Sequence, residues 1–235
     1  AGFGACLAML MELPTVYVQM FSFCGGILAV FIAATATRRF SMDPILGLVL
    51  GGMMVSTLFQ SGTSTIKILA DADNKLPQIT FWLMGSFNVM NKAKLFSILI
   101  PIGAGFLILF LVRWQLNVLS FGEDEASSLG IKTKRIRSMV IIASTLITAS
   151  CVSVCGMVGW VGLVIPHAGR ALAGPDYRRL LPVCAILGST FLLLVDDVAR
   201  TAFMVELPIG ILTSFIGVPF FMFIFKSGVN KGGSA

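Results

Sequence analysis

Of 235 residues, 57% are hydrophobic and only 12% charged, and the mean hydropathy is +0.94. Such a chain is far more apolar than a soluble domain of this length, so lipid is its expected solvent and no room is left for a soluble catalytic domain. The net charge of +6 comes from short basic clusters between apolar stretches, the pattern of loops that orient a membrane protein rather than of a nucleic-acid surface.

The opening, Ala1 to Met11, is apolar and has no charged leader of the kind a signal peptide carries. It is shorter than the roughly 20 residues that cross about 30 Å of hydrocarbon, so it is expected to be part of a helix that begins upstream. Uncharged runs follow at about 13–37, 44–66, 95–112, 138–169, 180–195 and 207–225. Gly25, Gly26, Gly47, Gly51, Gly52, Gly103 and Gly105 lie within them and are expected to let helix backbones approach closely. Residues 71–77 have no membrane-compatible character and are expected to form an outer loop, followed by an interfacial stretch holding Phe81 and Trp82.

Run 138–169 is ambiguous, because one helix of that length would measure roughly 48 Å. It also holds Gly156, Gly159, Gly162 and Pro166, which bend or break helices. Charge decides between one crossing and two. With two, about twelve of the seventeen Lys and Arg residues fall on one side. The cytoplasmic side then carries Arg38, Arg39, the 113–137 and 170–179 loops and the C-terminal tail with Lys226 and Lys231; the outer side carries 67–94 and Arg200. The expected fold is all-α, one polytopic bundle over 1–235 with about eight membrane segments, the first incomplete.

Cys6, Cys24, Cys151, Cys155 and Cys184 lie in or beside apolar runs and form no disulfide framework, so they are expected to be small buried residues. Cys151 and Cys155 share a helix face, but two thiolates alone make no metal site. Asp196 and Asp197, near the end of an apolar run, are expected to pair with Arg200 or meet water rather than couple an ion. His167 is the only histidine and follows a proline, so a structural hydrogen bond is expected of it, not metal binding or proton transfer. Pro208 and Pro219 are expected to shape the last helix.

Three strings carry more than composition. The first is Gly122-Glu123-Asp124-Glu125-Ala126-Ser127-Ser128-Leu129-Gly130, followed by a basic run from Lys132 to Arg137. Acids at its start suit a helix N-terminus and Gly130 suits a stop, so a short helix outside the membrane is expected. The second runs from Gly159 through Pro166, His167 and Arg170 to Asp176, Arg178 and Pro182. The third joins Asp196-Asp197-Val198-Ala199-Arg200 to Glu206-Leu207-Pro208-Ile209-Gly210-Ile211-Leu212-Thr213 and Gly217-Val218-Pro219-Phe220-Phe221.

Together and in this order, these strings closely resemble the FecCD-type iron-chelate and cobalamin permease family of ABC importers, from Ala1 to about Lys226. The resemblance implies a chain matching the third to tenth helices of a ten-helix permease in a bacterial or archaeal cell membrane, with a cytoplasmic C-terminus. It implies a second permease subunit, the same or different, two cytoplasmic ATPases and an extracytoplasmic binding protein, with ferric siderophores, haem or cobalamin as cargo. Glu123, Ala126, Ser127, Leu129 and Gly130 match the family's coupling segment, placed at 122–137, which sits in a cleft on the ATPase. Pro166, His167, Arg170, Asp176 and Arg178 match its motif near the cytoplasmic face, and Arg200 matches an arginine that docks the binding protein. Substrate-lining residues are expected from the helix at about 44–66 and from the last helix.

No G-x-x-x-x-G-K-[ST] string occurs, so ATP and Mg are expected on the partner ATPase, with no cofactor on this chain. Two other readings stand beside this one. A secondary transporter or channel would rest on Asp196 and Asp197. An intramembrane hydrolase would rest on His167 with Ser61 or Ser189, neither in a recognisable nucleophile motif.

Overall fold

The computed structural model describes residues 1–39, 44–88, 90–202 and 207–232, with side chains at those positions except 37–39, 44–45 and 223–232. All regular structure among them is helical: α1 (Gly2–Leu10), α2 (Thr15–Arg39), α3 (Pro44–Leu69), α4 (Lys75–Met84), α5 (Lys92–Leu111), α6 (Arg113–Leu119), α7 (Glu123–Ser128), α8 (Thr133–Cys155), α9 (Val161–Ala173), α10 (Tyr177–Thr201) and α11 (Ile209–Gly232). Five stretches are long and apolar enough to cross a membrane: Thr15–Ala36, Leu46–Leu69, Lys92–Leu111, Thr133–Cys155 and Tyr177–Thr201. α9 and the stretch Ile209–Met222 are shorter apolar helices. With α1 these make the expected polytopic all-α set, and the 138–169 run is divided where its glycines stand, at 156–160.

Large apolar side chains point outward along the spans: Ile100 is 80% exposed, Phe215 74% and Met54 68%. Water would not tolerate so much apolar surface, whereas lipid does. Serine and threonine hydroxyls in the spans donate to carbonyls of the preceding turn, as Thr57 does to Met53, Ser61 to Thr57 and Thr65 to Ser61. A polar group so bonded is compatible with hydrocarbon.

Chain contacts sort the residues into two compact units. One comprises Ala1–Leu83, Asn88–Phe106 and Ile141–Met157; the other comprises Met84–Phe87, Leu107–Val140 and Val158–Ala235. In the first, α1 packs on α2 and α3, and Ala5, Cys6, Ala8 and Met9 join Val18, Ile66, Ala70 and Ile79 in one buried cluster. A side chain on Gly4 would run into the Phe21 backbone carbonyl, so α1 and α2 touch main chain to main chain. Lys75, the first residue of α4, donates to the Leu10 carbonyl at the end of α1 and pairs with Glu12 at 2.8 Å. In the second unit α10 packs on α6, α9 and α11, and α7 on α6.

Several expectations need correction. The 71–77 loop ends early, because α4 begins at Lys75; Pro77 falls in its first turn, where no intrahelical N–H is needed. The run at 180–195 extends to Tyr177–Thr201, since a cap at Asp176 starts the helix early and an Asp196–Arg200 pair one turn apart carries it past the acids. The polar stretch 113–137 contains a helix, α6, that its charges concealed. Of the cysteines only Cys6 is buried; Cys24 is exposed and the other three are half-buried, because apolar helix faces in this fold point outward as well as inward. Gly25, Gly26 and Gly105 do sit at close approaches, but Gly52 and Gly103 face open space.

Gly4→Ala is therefore expected to lower stability by about 1–3 kcal/mol through overpacking. Gly52→Ala is expected to be neutral, or to raise stability by up to about 1 kcal/mol through helix propensity. Thermal unfolding of the two variants in detergent checks the pair.

Candidate functional site

α7 owes its shape to glycine at both ends. Gly122 caps it with φ +128, a conformation unfavourable to other residues, and a side chain there would meet the Glu125 carboxylate. Glu123, Asp124 and Glu125 fill the first turn, where carboxylates suit the helix dipole. At the far end Gly130 has φ +77; its N–H reaches the Ser127 carbonyl at 2.9 Å and the Ile131 N–H reaches the Ala126 carbonyl at 3.0 Å. This is a Schellman stop, and Gly130 closes the helix where its position indicated. Ala126 is fully buried, while Ser127 and Leu129 face outward, Leu129 67% exposed, and Phe121 just before the helix is 78% exposed. Glu123 pairs with Arg137 near the start of α8, a half-exposed contact worth about 1 kcal/mol or less.

A second contact, which sequence reasoning missed, ties this segment to α10. The Asn117 side-chain amide, on α6, donates from Nδ2 to Asp176 Oδ1 at 2.6 Å and accepts on Oδ1 from the Tyr177 N–H at 2.8 Å. Asp176 is the N-cap of α10, and the same Oδ1 accepts from the Arg178 N–H at 2.9 Å. The Arg178 N–H first, then the Asn117 amide, with the Arg178 and Arg179 charges adding, hold the Asp176 carboxyl below its ordinary 3.8. Among the motif residues, Asp176 is thus joined to the α6–α7 segment and Arg178 reaches it only through Asp176, while the Arg170 and Arg178 side chains are exposed.

Pro166 lies inside α9. His167 places Nδ1 3.0 Å from the Leu163 carbonyl, which only accepts, so Nδ1 donates; its ring meets Phe221 edge-on at 5.7 Å. The structural hydrogen bond expected of it is present. Trp160, the N-cap of α9, has φ +67, and a side chain on Gly217 would come within 2.6 Å of its Cβ, which explains why glycine stands at 217. Thr213 is fully buried and donates to the Gly210 carbonyl. Glu206 of the same string lies outside the described residues, as do the side chains of Arg38, Arg39, Lys226 and Lys231.

At the other end of α10, Arg200 Nε donates to Asp196 Oδ2 at 2.9 Å, and Asp197 is exposed. The pairing expected for Asp196 is present, which weakens the ion-coupling alternative. The Ser61 and Ser189 hydroxyls donate to Thr57 and Ile186 within their own helices, so neither is arranged as a nucleophile. Among the described residues no group of three or more His, Cys, Asp or Glu gathers as metal ligands would.

Fold and site together define a polytopic helical membrane protein with a short capped helix, α7, joined to a neighbour, α6, that is clamped to one of its spans. Residues 1–227 match the model of the FecCD transport family. The chain belongs to that family, and the resemblance read from its motifs is borne out. It is 42% identical over 196 residues to the molybdate import system permease protein MolB of Haemophilus influenzae, covering 83% of this chain and 58% of the relative. To the cobalamin import system permease protein BtuC of Halobacterium salinarum it is 34% identical, over 96% of this chain and 61% of that one. To an iron chelatin transport system permease protein of Helicobacter pylori it is 36% identical, over 94% and 68%. A solved metal-chelate type ABC transporter in an inward-facing conformation matches with a TM-score of 0.89 and 38% identity, over 96% of this chain and 72% of that chain. The chain thus spans about three fifths of the length of the MolB and BtuC relatives. These relatives are named as transport permeases, not as enzymes.

The depressed Asp176 titration has a defined sign. A carboxyl held lower when folded stabilises the fold above its unfolded value and loses that contribution as pH falls through the folded value. The stability gap between the wild type and Asp176→Ala should be constant from neutral pH down to about 5 and narrow below its ordinary 3.8. Thermal unfolding against pH checks this, and a gap unchanged at low pH contradicts it.

Proposed function

We propose that this chain acts as the membrane-spanning permease subunit of an ABC importer, with 1–235 a single permease domain. It moves an iron–siderophore, haem or cobalamin type of metal chelate inward by alternating access, while a separate ATPase binds ATP and Mg. The observation that carries this reading is the family match through residues 1–227. Its partners are a second permease subunit, two cytoplasmic ATPases and an extracytoplasmic binding protein. The charge bias supports placing α7, the α9–α10 loop and the C-terminus on the cytoplasmic face of a bacterial or archaeal cell membrane.

The coupling segment is 122–137. Its short helix is slim, capped at both ends and presents Ser127, Leu129 and Gly130 outward, as a lever seated on another protein must. α3 supports the expected pathway: Ser56, Gln60 and Ser64, one turn apart, make an exposed polar strip along a membrane helix, better suited to a wetted passage than to lipid. A second cargo, an oxyanion, is favoured by the 42% identity to a molybdate permease.

Two measurements test the reading. In the assembled transporter, ATPase activity in the presence of the cognate binding protein should rise with one member of a panel of ferric siderophores, haem, cobalamin and molybdate. Glu123→Arg or Gly130→Leu should abolish most of that rise while leaving membrane insertion intact; unchanged stimulation would count against the lever. Arg200→Glu should weaken binding-protein docking more at low salt than at high, since an exposed charge is screened. A loss independent of salt points instead to misfolding.

A further inference from the structure

α10 is one helix of 25 residues, about 37 Å long. It begins at the Asn117 clamp and ends beside the Asp196–Arg200 pair. Its first turn is weakly tied to the rest, because Pro182 has no N–H to offer the Arg178 carbonyl. The cap at Asp176 and the two bonds to Asn117 therefore carry much of the burden of fixing where α10 starts.

The other side of the clamp is also well connected. From Asn117 the chain passes through Ser120, Phe121 and Gly122, whose N–H groups bond to the carbonyls of Asn117, Val118 and Leu119, straight into α7. The Ser120 hydroxyl adds a 2.6 Å bond to the Asn117 carbonyl. α6 and α7 are thus linked with little slack, and α6 packs on α10. The Glu123–Arg137 pair ties the segment to α8, and Asn117 ties it to α10.

We propose that Asn117 is a positioning residue through which displacement of α7 is delivered to α10, and so to the helix end that carries Arg200. The geometry suits an amide and nothing else of its size, since one end must donate to a carboxylate and the other accept from a backbone N–H. The proposal rests on the transporter reading above, with α7 moved by the ATPase.

A donor–acceptor swap tests it in the full-length permease assembled with its ATPase and binding protein. Asn117→Asp sets a carboxylate against Asp176 and removes the donor; cargo-stimulated ATPase activity should fall by roughly fivefold or more, the low end of a coupling free energy, while basal activity and insertion persist. Asp176→Asn alone keeps an acceptor for both Asn117 and Arg178 and should be nearly silent. The double variant N117D/D176N reverses the polarity of the first bond and keeps the acceptor for the Tyr177 N–H, but it gives up the Arg178 acceptor, because a single Asp176 oxygen serves both donors, and it should recover part of the lost stimulation. Stimulation unaffected by N117D, or a double variant that assembles normally but is no better coupled than N117D alone, overturns the proposal.

Spin labels at Ser127 and Arg178 give an independent reading without nucleotide or cargo. Their distance distribution should be narrow in the otherwise unmodified permease and broaden in Asn117→Ala; an unchanged distribution also overturns the proposal. Failure of any cargo to stimulate ATPase activity sinks the transporter reading instead, and leaves the label distances to decide on the clamp.

Discussion

In hydrocarbon every backbone N–H and C=O must find its partner within the chain, and the rest of this structure follows from that demand. Long spans meet it as unbroken helices, and their hydroxyls turn inward onto carbonyls one turn back, as Thr57, Ser61 and Thr65 do along α3. Departures from regularity are few and supported. At 156–160 the chain leaves the helix between α8 and α9, with Gly156 at φ +73 and Trp160 at φ +67, and Gly217 leaves room for the Trp160 Cβ. Where backbones must touch, glycine is what permits it, as Gly4 does against Phe21.

The spans were legible because apolarity over about 20 residues is a coarse signal that packing details do not disturb. The division of 138–169 was legible because glycines and charge bias agreed. α7 was legible because its ends use strong local chemistry, acids at one and Gly130 at the other. α6 was not, because Arg113, Gln115 and Asn117 interrupt the apolar pattern while the helix is held by α10 instead of by periodicity. Asn117 was invisible for a related reason: an amide in a loop is ordinary, and its meaning lies in Asp176 and Tyr177, some sixty residues away. The available hint was the cap chemistry of Asp176, which could have prompted a search for a second donor. Gly52 and Gly103 misled because a small residue reads the same whether a neighbouring helix fills the space or not.

The two ends of α10 gather what the motifs hold. At its start Asp176 is a hub for the Arg178 N–H and the Asn117 amide; near its end Asp196 holds Arg200. His167, which a catalytic reading would have placed at the centre, instead bonds its own helix and rests against Phe221. On the proposed reading the chain performs no chemistry. It converts motion at α7 into rearrangement of the bundle, so its informative residues are caps, clamps and close contacts rather than acids and nucleophiles.

Sidedness is the claim on which this wiring stands. Single cysteines at Ser127, Arg179 and Asp73, introduced into a full-length permease freed of its native cysteines, can be labelled with a membrane-impermeant maleimide on intact cells and on inverted vesicles. The account predicts that Ser127 and Arg179 react only in inverted vesicles and Asp73 only on intact cells. Reaction of Ser127 and Arg179 from opposite faces contradicts it.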